Sequence, residues 1–142
     1  MTTIFYELMD PDVVVGASHP AITLIDGATN TVYQQVYFPA TMTVLTSVKV
    51  FVVPGASGNM RVGAVTNWGR VCVDAYNSGA DTYPTDDIPV TVNEIECIDI
   101  TAAFTGVLAG SLAGIAFTRY GNHANDTIGA NCYYLGAEVS YT

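Results

Sequence analysis

The chain has 142 residues, the size of one domain, and half of them are hydrophobic, which excludes a disordered chain. Only 12% of the residues are charged, and 13 acids against four cations give a net charge of −9. The four cations are scattered along the sequence, so they do not supply the positive cluster that direct binding to nucleic acid or to an anionic membrane surface requires.

The first half of the chain alternates hydrophobic and polar residues, and this period of two predicts β-strands. Residues 1–20 contain strand-like sequence at 3–8 and the apolar run Val13–Val15. We expect them to form an edge strand or an N-terminal arm that adds a strand to a neighbour. The next predicted strands lie at 21–26, 31–38 and 43–53.

The middle of the chain allows two arrangements. Residues 60–68 and 70–76 are strand-like on either side of Gly69, so they predict a tight hairpin or one long strand with a bulge. Residues 77–87, NSGADTYPTDD, are mostly turn formers and predict a long polar loop. The remaining predicted elements are an extended segment at 88–100, one helical turn within 101–108 capped by Asp99 or Thr101, and strands at 112–120 and 131–141.

This pattern of elements predicts the fold class. Roughly eight short strands separated by turn residues, with at most one helical turn, are typical of an antiparallel β-sandwich or barrel. No linker or internal repeat divides the sequence. We therefore expect a single all-β domain that spans residues 1–142.

Residues that could carry catalysis are few. Cys72, Cys97 and Cys132 lack the CxxC spacing of zinc sites, and we expect three buried or half-buried thiols in a reducing compartment. His123 and Asp126 precede Cys132, yet their flanks resemble neither a nucleophile elbow nor a cysteine-protease motif. We therefore expect no enzyme and no cofactor.

One acidic segment is a candidate metal site. Asp81, Asp86 and Asp87 lie in the predicted polar loop, and carboxylate oxygens are the ligands that Ca²⁺ prefers. The spacing of an EF-hand is absent, and acidic loops are usually only solvated. We therefore expect no bound metal and keep these three residues as the candidate set.

The last third of the chain has a recognisable order of elements. The run IDITAAFTGVLAGSLAGIAFTRYGNHANDTIGANCYYLGAEVSYT contains a strand, a short helical turn, a strand that ends in Arg, a loop that closes on Asp-Thr, and a final strand. It resembles the closing half of small jelly-roll domains in viral, especially phage, structural proteins. Phe38-Pro39, followed by a valine-rich strand, is similar to the front half of the same domains, so the resemblance covers residues 20–142.

The resemblance implies an eight-stranded jelly roll of two antiparallel sheets, although an immunoglobulin-like strand order would give almost the same pattern. It also implies a virion structural protein without catalysis, such as a capsid decoration, minor capsid or tail-appendage module. Domains of this kind often form trimers, so we expect a homotrimer that also contacts other virion proteins. The start MTTIFYELMDPD has no basic or apolar leader region, so we expect synthesis in the host cytoplasm without a signal peptide.

The alternative is a lectin-like or receptor-binding sandwich that holds a glycan or another ligand. Trp68 is the only tryptophan, and with Tyr76 or Tyr83 it would form a platform for a sugar if it were exposed. We expect it instead in the core or at a subunit interface, where tryptophan is common.

The expected assembly surfaces are the N-terminal edge and the tyrosine-bearing faces of the strands at 31–38 and 131–141. In the last strand, alternation predicts one apolar row, with Tyr134 on the reverse face; the row contains Tyr133, Leu135, Ala137, Val139 and Tyr141. The candidate interface residues are Phe5, Tyr6, Val13, Val14, Val15, Tyr33, Tyr37, Trp68 and Tyr134.

One charged pair is predicted near the end of the chain. Arg119 is the only cation in a long stretch, and Asp126 follows it in the loop before the last strand. A contact between them would fix the connection between the last two strands, with Thr127 assisting the loop turn. We expect this pair to have a structural role.

Overall fold

The computed structural model describes residues 1–142 and contains ten β-strands and one 3₁₀ turn. The strands are β1 (Thr2–Tyr6), β2 (Val13–Val15), β3 (His19–Leu24), β4 (Thr29–Tyr37), β5 (Leu45–Pro54), β6 (Gly58–Arg70), β7 (Gly79–Val90), β8 (Glu96–Asp99), β9 (Ser111–Tyr120) and β10 (Cys132–Tyr141); the turn is Thr101–Phe104. No helical segment has the length and apolar character that crossing a membrane requires.

The strands form two antiparallel sheets that pack face to face around one core, which confirms the predicted all-β sandwich. The first sheet has the order β2-β3-β10-β5-β8, and the second has the order β4-β9-β6-β7. β1 also joins the first sheet, because β3 pairs with the beginning of β10 and β1 pairs with its end.

Eight of the strands form four nested antiparallel pairs. β3 pairs with β10, β4 with β9, β5 with β8, and β6 with β7. The members of each outer pair therefore enclose the members of each inner pair along the sequence, as in one long hairpin. The hairpin is distributed over both sheets, with two of its pairs in each.

The N-terminal residues are docked on the sandwich as edge strands. β1 runs along β10 from Thr2, opposite Tyr141, to Tyr6, opposite Ala137. β2 forms a short hairpin with β3. Within this single chain, both N-terminal strands therefore pair with strands of the same chain.

The inward side chains of β4 and β5 follow the predicted alternation. Val32, Val36 and Phe38 face the core together with Gln34. Gln34 is satisfied there because its amide oxygen accepts a hydrogen bond from the Tyr134 hydroxyl at 2.5 Å and its amide nitrogen donates to a backbone carbonyl of β1. A polar residue is thus part of the apolar layer between the sheets.

The predicted alternation of β10 is wrong because a bulge interrupts it. The register shifts between Tyr134 and Gly136, so the alternation of inward and outward side chains reverses at this point. Tyr134 faces the core with the later inward residues, whereas Leu135 is only half-buried and lines the outer surface. Gly136 has a φ of 150°, and a Cβ there would lie 2.6 Å from the ring of Phe5.

The predictions for the middle of the chain are partly wrong. β6 is one long strand, whose register shift lies between Val62 and Ala64 rather than at Gly69. The strand expected at 70–76 is a turn, and most of the loop expected at 77–87 belongs to β7. β7 is an edge strand, where proline and acidic residues are tolerated, so its pairing with β6 overrides the local preference for a loop.

The single helical turn is confirmed at Thr101–Phe104. The predicted cap by Asp99 or Thr101 is wrong, because the N-cap residue is Ile100 and no side chain caps the turn. Asp99 instead accepts a hydrogen bond from the Thr101 backbone N–H at 2.9 Å, just before the turn. Phe104 points into the core, where its ring lies 5.3 Å from Phe38 and 6.1 Å from Trp68. The turn therefore closes one end of the sandwich with aromatic side chains.

Candidate interaction surfaces

The predicted pair between Arg119 and Asp126 is present, and both side chains are fully buried. The Arg119 Nε and Nη2 atoms donate to the two carboxylate oxygens at 3.1 and 2.9 Å. The other donors bind the carbonyl oxygens of Leu24, Ile128 and Ala130, each at 3.0 Å. All five guanidinium N–H groups therefore have an acceptor.

This pair ties three elements together. Asp126 also accepts hydrogen bonds from the backbone N–H groups of Arg61, on β6, and Ile128. Burial alone would lower the pKa of Arg119, but the hydrogen bonds to Asp126 and the nearby negative charges together outweigh burial and raise the pKa above its ordinary value. The pair therefore joins β9, β6 and the loop that precedes β10.

The cysteines are placed differently from the prediction, and they form no catalytic arrangement with histidine. Cys72 and Cys97 are exposed, and only Cys132 is buried. Burial raises the pKa of the Cys132 thiol, although the nearby charge of Arg119 opposes this effect. His123 is exposed, its Nδ1 accepts the backbone N–H of Asn125, and no hydrogen bond joins it to this thiol.

The three candidate metal ligands do not converge. Asp81 accepts backbone hydrogen bonds from Thr82 and Thr105, at 2.8 and 3.0 Å. Asp87, six positions further along the same strand, forms a 2.7 Å ion pair with Arg61. Strand geometry separates the two by roughly 20 Å, and no group of three or more histidine, cysteine or acidic side chains is arranged to hold a metal ion.

Two of the candidate interface residues are buried in the core. Trp68 is 6% exposed and Tyr134 is not exposed at all, so both pack mainly inside the domain rather than on its surface. The burial of Trp68 also removes the proposed platform for a sugar. Tyr6, Val13 and Val15 are half-buried, and the exposed candidates are Phe5, Val14, Tyr33 and Tyr37.

The outer side of the second sheet has a region without charge, which we call the uncharged face. Its members are the central outward residues of β4, β9 and β6: Thr31, Tyr33, Gln35, Tyr37, Leu112, Gly114, Ala116, Thr118, Val65 and Asn67. Ion pairs lie near the two ends of β6, one between Arg61 and Asp87 and one between Arg70 and Asp74. Charged side chains thus lie near the two ends of β6 and are absent from the centre of the region.

A trough of about 390 Å³ runs across the middle of the uncharged face. Its floor is Gly114 and Ala116 on the central strand β9. The register places Tyr33 and Val65 on either side of Ala116, and it places Gln35 and Asn67 on either side of Gly114. Small side chains on one strand, between larger ones on its neighbours, therefore create the depression.

A second depression of about 460 Å³ lies on the outer side of the first sheet, which we call the apolar groove. It opens where β1 ends and β3 begins, beside the bulge of β10. The rings of Phe5 and Phe51 stack there with centroids 5.7 Å apart. The remaining lining residues are Glu7, Leu8, Pro11, His19, Pro20, Ile95 and Leu135.

The sequence indicated Phe5 by name and placed Glu7 and Leu8 in the predicted N-terminal edge. Phe51, Ile95 and Leu135 come from distant segments, and Leu135 reaches the outer surface only because of the bulge. Alternation alone placed it in a continuous apolar row with Ala137. No local pattern in the sequence identifies this groove.

Comparison with known proteins adds no assignment, because no family model, no curated protein and no solved structure matches the chain.

Proposed function

We propose that the domain is a jelly roll and that the protein is a structural subunit of a virion, which acts through contacts between its own copies and without catalysis. The four nested strand pairs support the first part, since a jelly roll distributes one long hairpin over two sheets. An immunoglobulin sandwich has a different order, with ABED facing CFG. Jelly rolls build viral capsids, although lectins and cupins also use them.

The observation that carries the assembly role is the uncharged face. The chain has a net charge of −9, yet the ten central outward positions on three adjacent strands include no acid and no base. Tyr33 projects from this surface and is 79% exposed. Depletion of charge at the centre with aromatic residues present is typical of protein–protein interfaces.

The place in the particle is proposed from the charge. An acidic chain without a basic arm is suited to a capsid decoration, minor capsid or tail-appendage position rather than to direct contact with the genome. The partners are then other copies of the chain and neighbouring virion proteins. The resemblance of residues 20–142 favours a trimer among the possible assemblies.

The solution mass of the purified chain tests this proposal. We expect light scattering to give a multiple of the 15.0 kDa chain mass, and we expect negative-stain images to show rings, tubes, shells or discrete oligomers. A 15.0 kDa monomer that persists at high concentration would contradict the assembly role.

The apolar groove supports a second candidate, a ligand-binding sandwich. Its volume lies within the roughly 300–1,000 Å³ range of small-molecule sites, and Glu7 and His19 provide polar groups beside the stacked Phe5 and Phe51 rings. A ligand screen by NMR would show shifts centred on the groove that disappear in Phe51→Ala. Shifts elsewhere, or none, would reject this candidate.

A further inference from the structure

We infer that two copies of the chain meet through their uncharged faces around a twofold axis, with Tyr33 of each copy inserted into the trough of the other. This inference rests on the proposed self-association and names the surface that mediates it. The contact would be isologous, because the same residues contribute from both copies.

Gly114 is the first observation behind this inference. It lies in the interior of β9, where glycine weakens a strand, and its φ is not in the left-handed region. A Cβ at this position would meet only the Asn67 Oδ1 atom, at an ordinary distance of 3.5 Å. The single chain therefore has no need of glycine here, and the close approach of another molecule supplies a reason for it.

The shape of the face is the second observation. Tyr33 stands beside the trough, on the β4 side, and Val65 bounds the β6 side. A projecting ring and a depression that lie next to each other on one surface are self-complementary under a twofold rotation. Each Tyr33 would cover the Gly114 and Ala116 floor of its partner, where a larger side chain would block it.

Charge favours a second copy as the occupant. Two chains of net charge −9 repel each other unless their contact excludes the acids, and the uncharged face contains no acid.

Substitution of Gly114 separates association from folding. We expect Gly114→Val to leave the melting temperature of the dilute chain unchanged or to raise it by about 2–4 °C, because the added Cβ meets only an ordinary contact. The same variant should weaken association about tenfold or more, measured by light scattering or sedimentation over a dilution series. Gly129→Val is the matched control, since a Cβ there has no neighbour within 4 Å and lies off the face.

Tyr33→Asp provides a second test, because it places an acid in each trough and should weaken association to a similar extent. Its control is Tyr76→Asp, at another exposed tyrosine in the turn before β7.

We expect the wild-type oligomer to contain an even number of chains, and a hexamer of two trimers would satisfy both the twofold contact and the expected trimer. An odd number of chains, or association that is unchanged in Gly114→Val and Tyr33→Asp, would overturn the twofold contact and leave self-association standing. A wild-type monomer would overturn both.

Discussion

Arg119 is the largest fully buried side chain in the molecule, and a charge in that position requires complete compensation. Its hydrogen bonds reach Asp126 and three backbone carbonyls, while Asp26 lies further away at 3.8 Å and is partly exposed. A buried pair of this kind contributes little net stability compared with an apolar replacement, but removal of one partner leaves the other charge uncompensated. Removal of the Asp126 carboxylate should therefore destabilise the fold.

We expect Asp126→Ala to lower the free energy of unfolding by about 3–5 kcal/mol. The substitution removes the carboxylate from Arg119 and also from the backbone N–H groups of Arg61 and Ile128. Urea unfolding measures the loss. Asp87→Ala, which removes a solvent-accessible ion pair with Arg61, should shift the midpoint much less. Equal midpoints for the wild type and Asp126→Ala would reject the structural role.

The sequence predicted this pair but not its setting. Arg119 and Asp126 are opposite charges on either side of a short loop, in a part of the chain where other charges are rare. The carbonyl oxygens that complete the site belong to Leu24, Ile128 and Ala130. Every residue has a backbone carbonyl, so the residue type does not show which one will accept a hydrogen bond. Contact between charged side chains can therefore be predicted from the sequence more readily than burial.

At the scale of the elements, the bulge of β10 decides where β1 and the apolar groove lie. Gly136 has a φ of 150°, a conformation that other residues rarely adopt, and a Cβ there would also lie 2.7 Å from the Tyr6 carbonyl oxygen. The close approach lets β1 pair with β10 directly after the bulge. The same bulge turns Leu135 outward beside Phe51.

We expect Gly136→Ala to destabilise the domain by about 1–3 kcal/mol and to loosen β1, because the added methyl group strains the backbone and collides with Phe5. Amide hydrogen exchange should accelerate most at Thr2–Tyr6. Gly129→Ala adds a methyl group in open space and should change neither quantity. Protection of β1 equal to that in the wild type would show that the bulge does not depend on glycine.

The elements that the sequence predicted well are those with strict alternation. β4 and β5 alternate in this way, and their inward faces follow directly from the sequence. β7 contains Pro84, Pro89 and three acids, and only its pairing with β6 makes it a strand. In β10 a single extra residue reverses every assignment before it, and alternation has no means of locating such a residue.

At the scale of the whole molecule, the sequence predicted the sandwich but not the strand pairing. Period-two alternation predicts which residues of a strand are buried, but it does not predict which other strand pairs with it. The low charge of the chain was evident from composition, yet the uncharged face exists only because the register brings Tyr33, Ala116 and Val65 into one row. A candidate interface therefore depends on long-range pairing that no local segment encodes.

The core also makes the whole molecule sensitive to alkali. Burial raises the pKa values of Tyr134 and Cys132, and burial is also the main cause of a raised pKa at Tyr6. In the unfolded chain these groups lose their protons near pH 9–10, whereas the folded chain retains them. The unfolded state then binds fewer protons than the folded state, so stability is fully present below about pH 9 and decreases as the pH rises.

We therefore expect the melting temperature to stay level from about pH 7 to 9 and to fall steadily above that range. Tyr134→Phe should make the melting temperature fall less steeply above pH 9, because it removes the tyrosine whose pKa is raised most by burial. At neutral pH the same variant should lose about 1–3 kcal/mol, since the buried Gln34 oxygen loses its donor. Tyr76→Phe, at an exposed tyrosine, should follow the wild-type curve throughout. A wild-type melting temperature at pH 11 equal to that at pH 8, or an unchanged slope in Tyr134→Phe, would show that buried tyrosine does not control the alkaline limit of this fold.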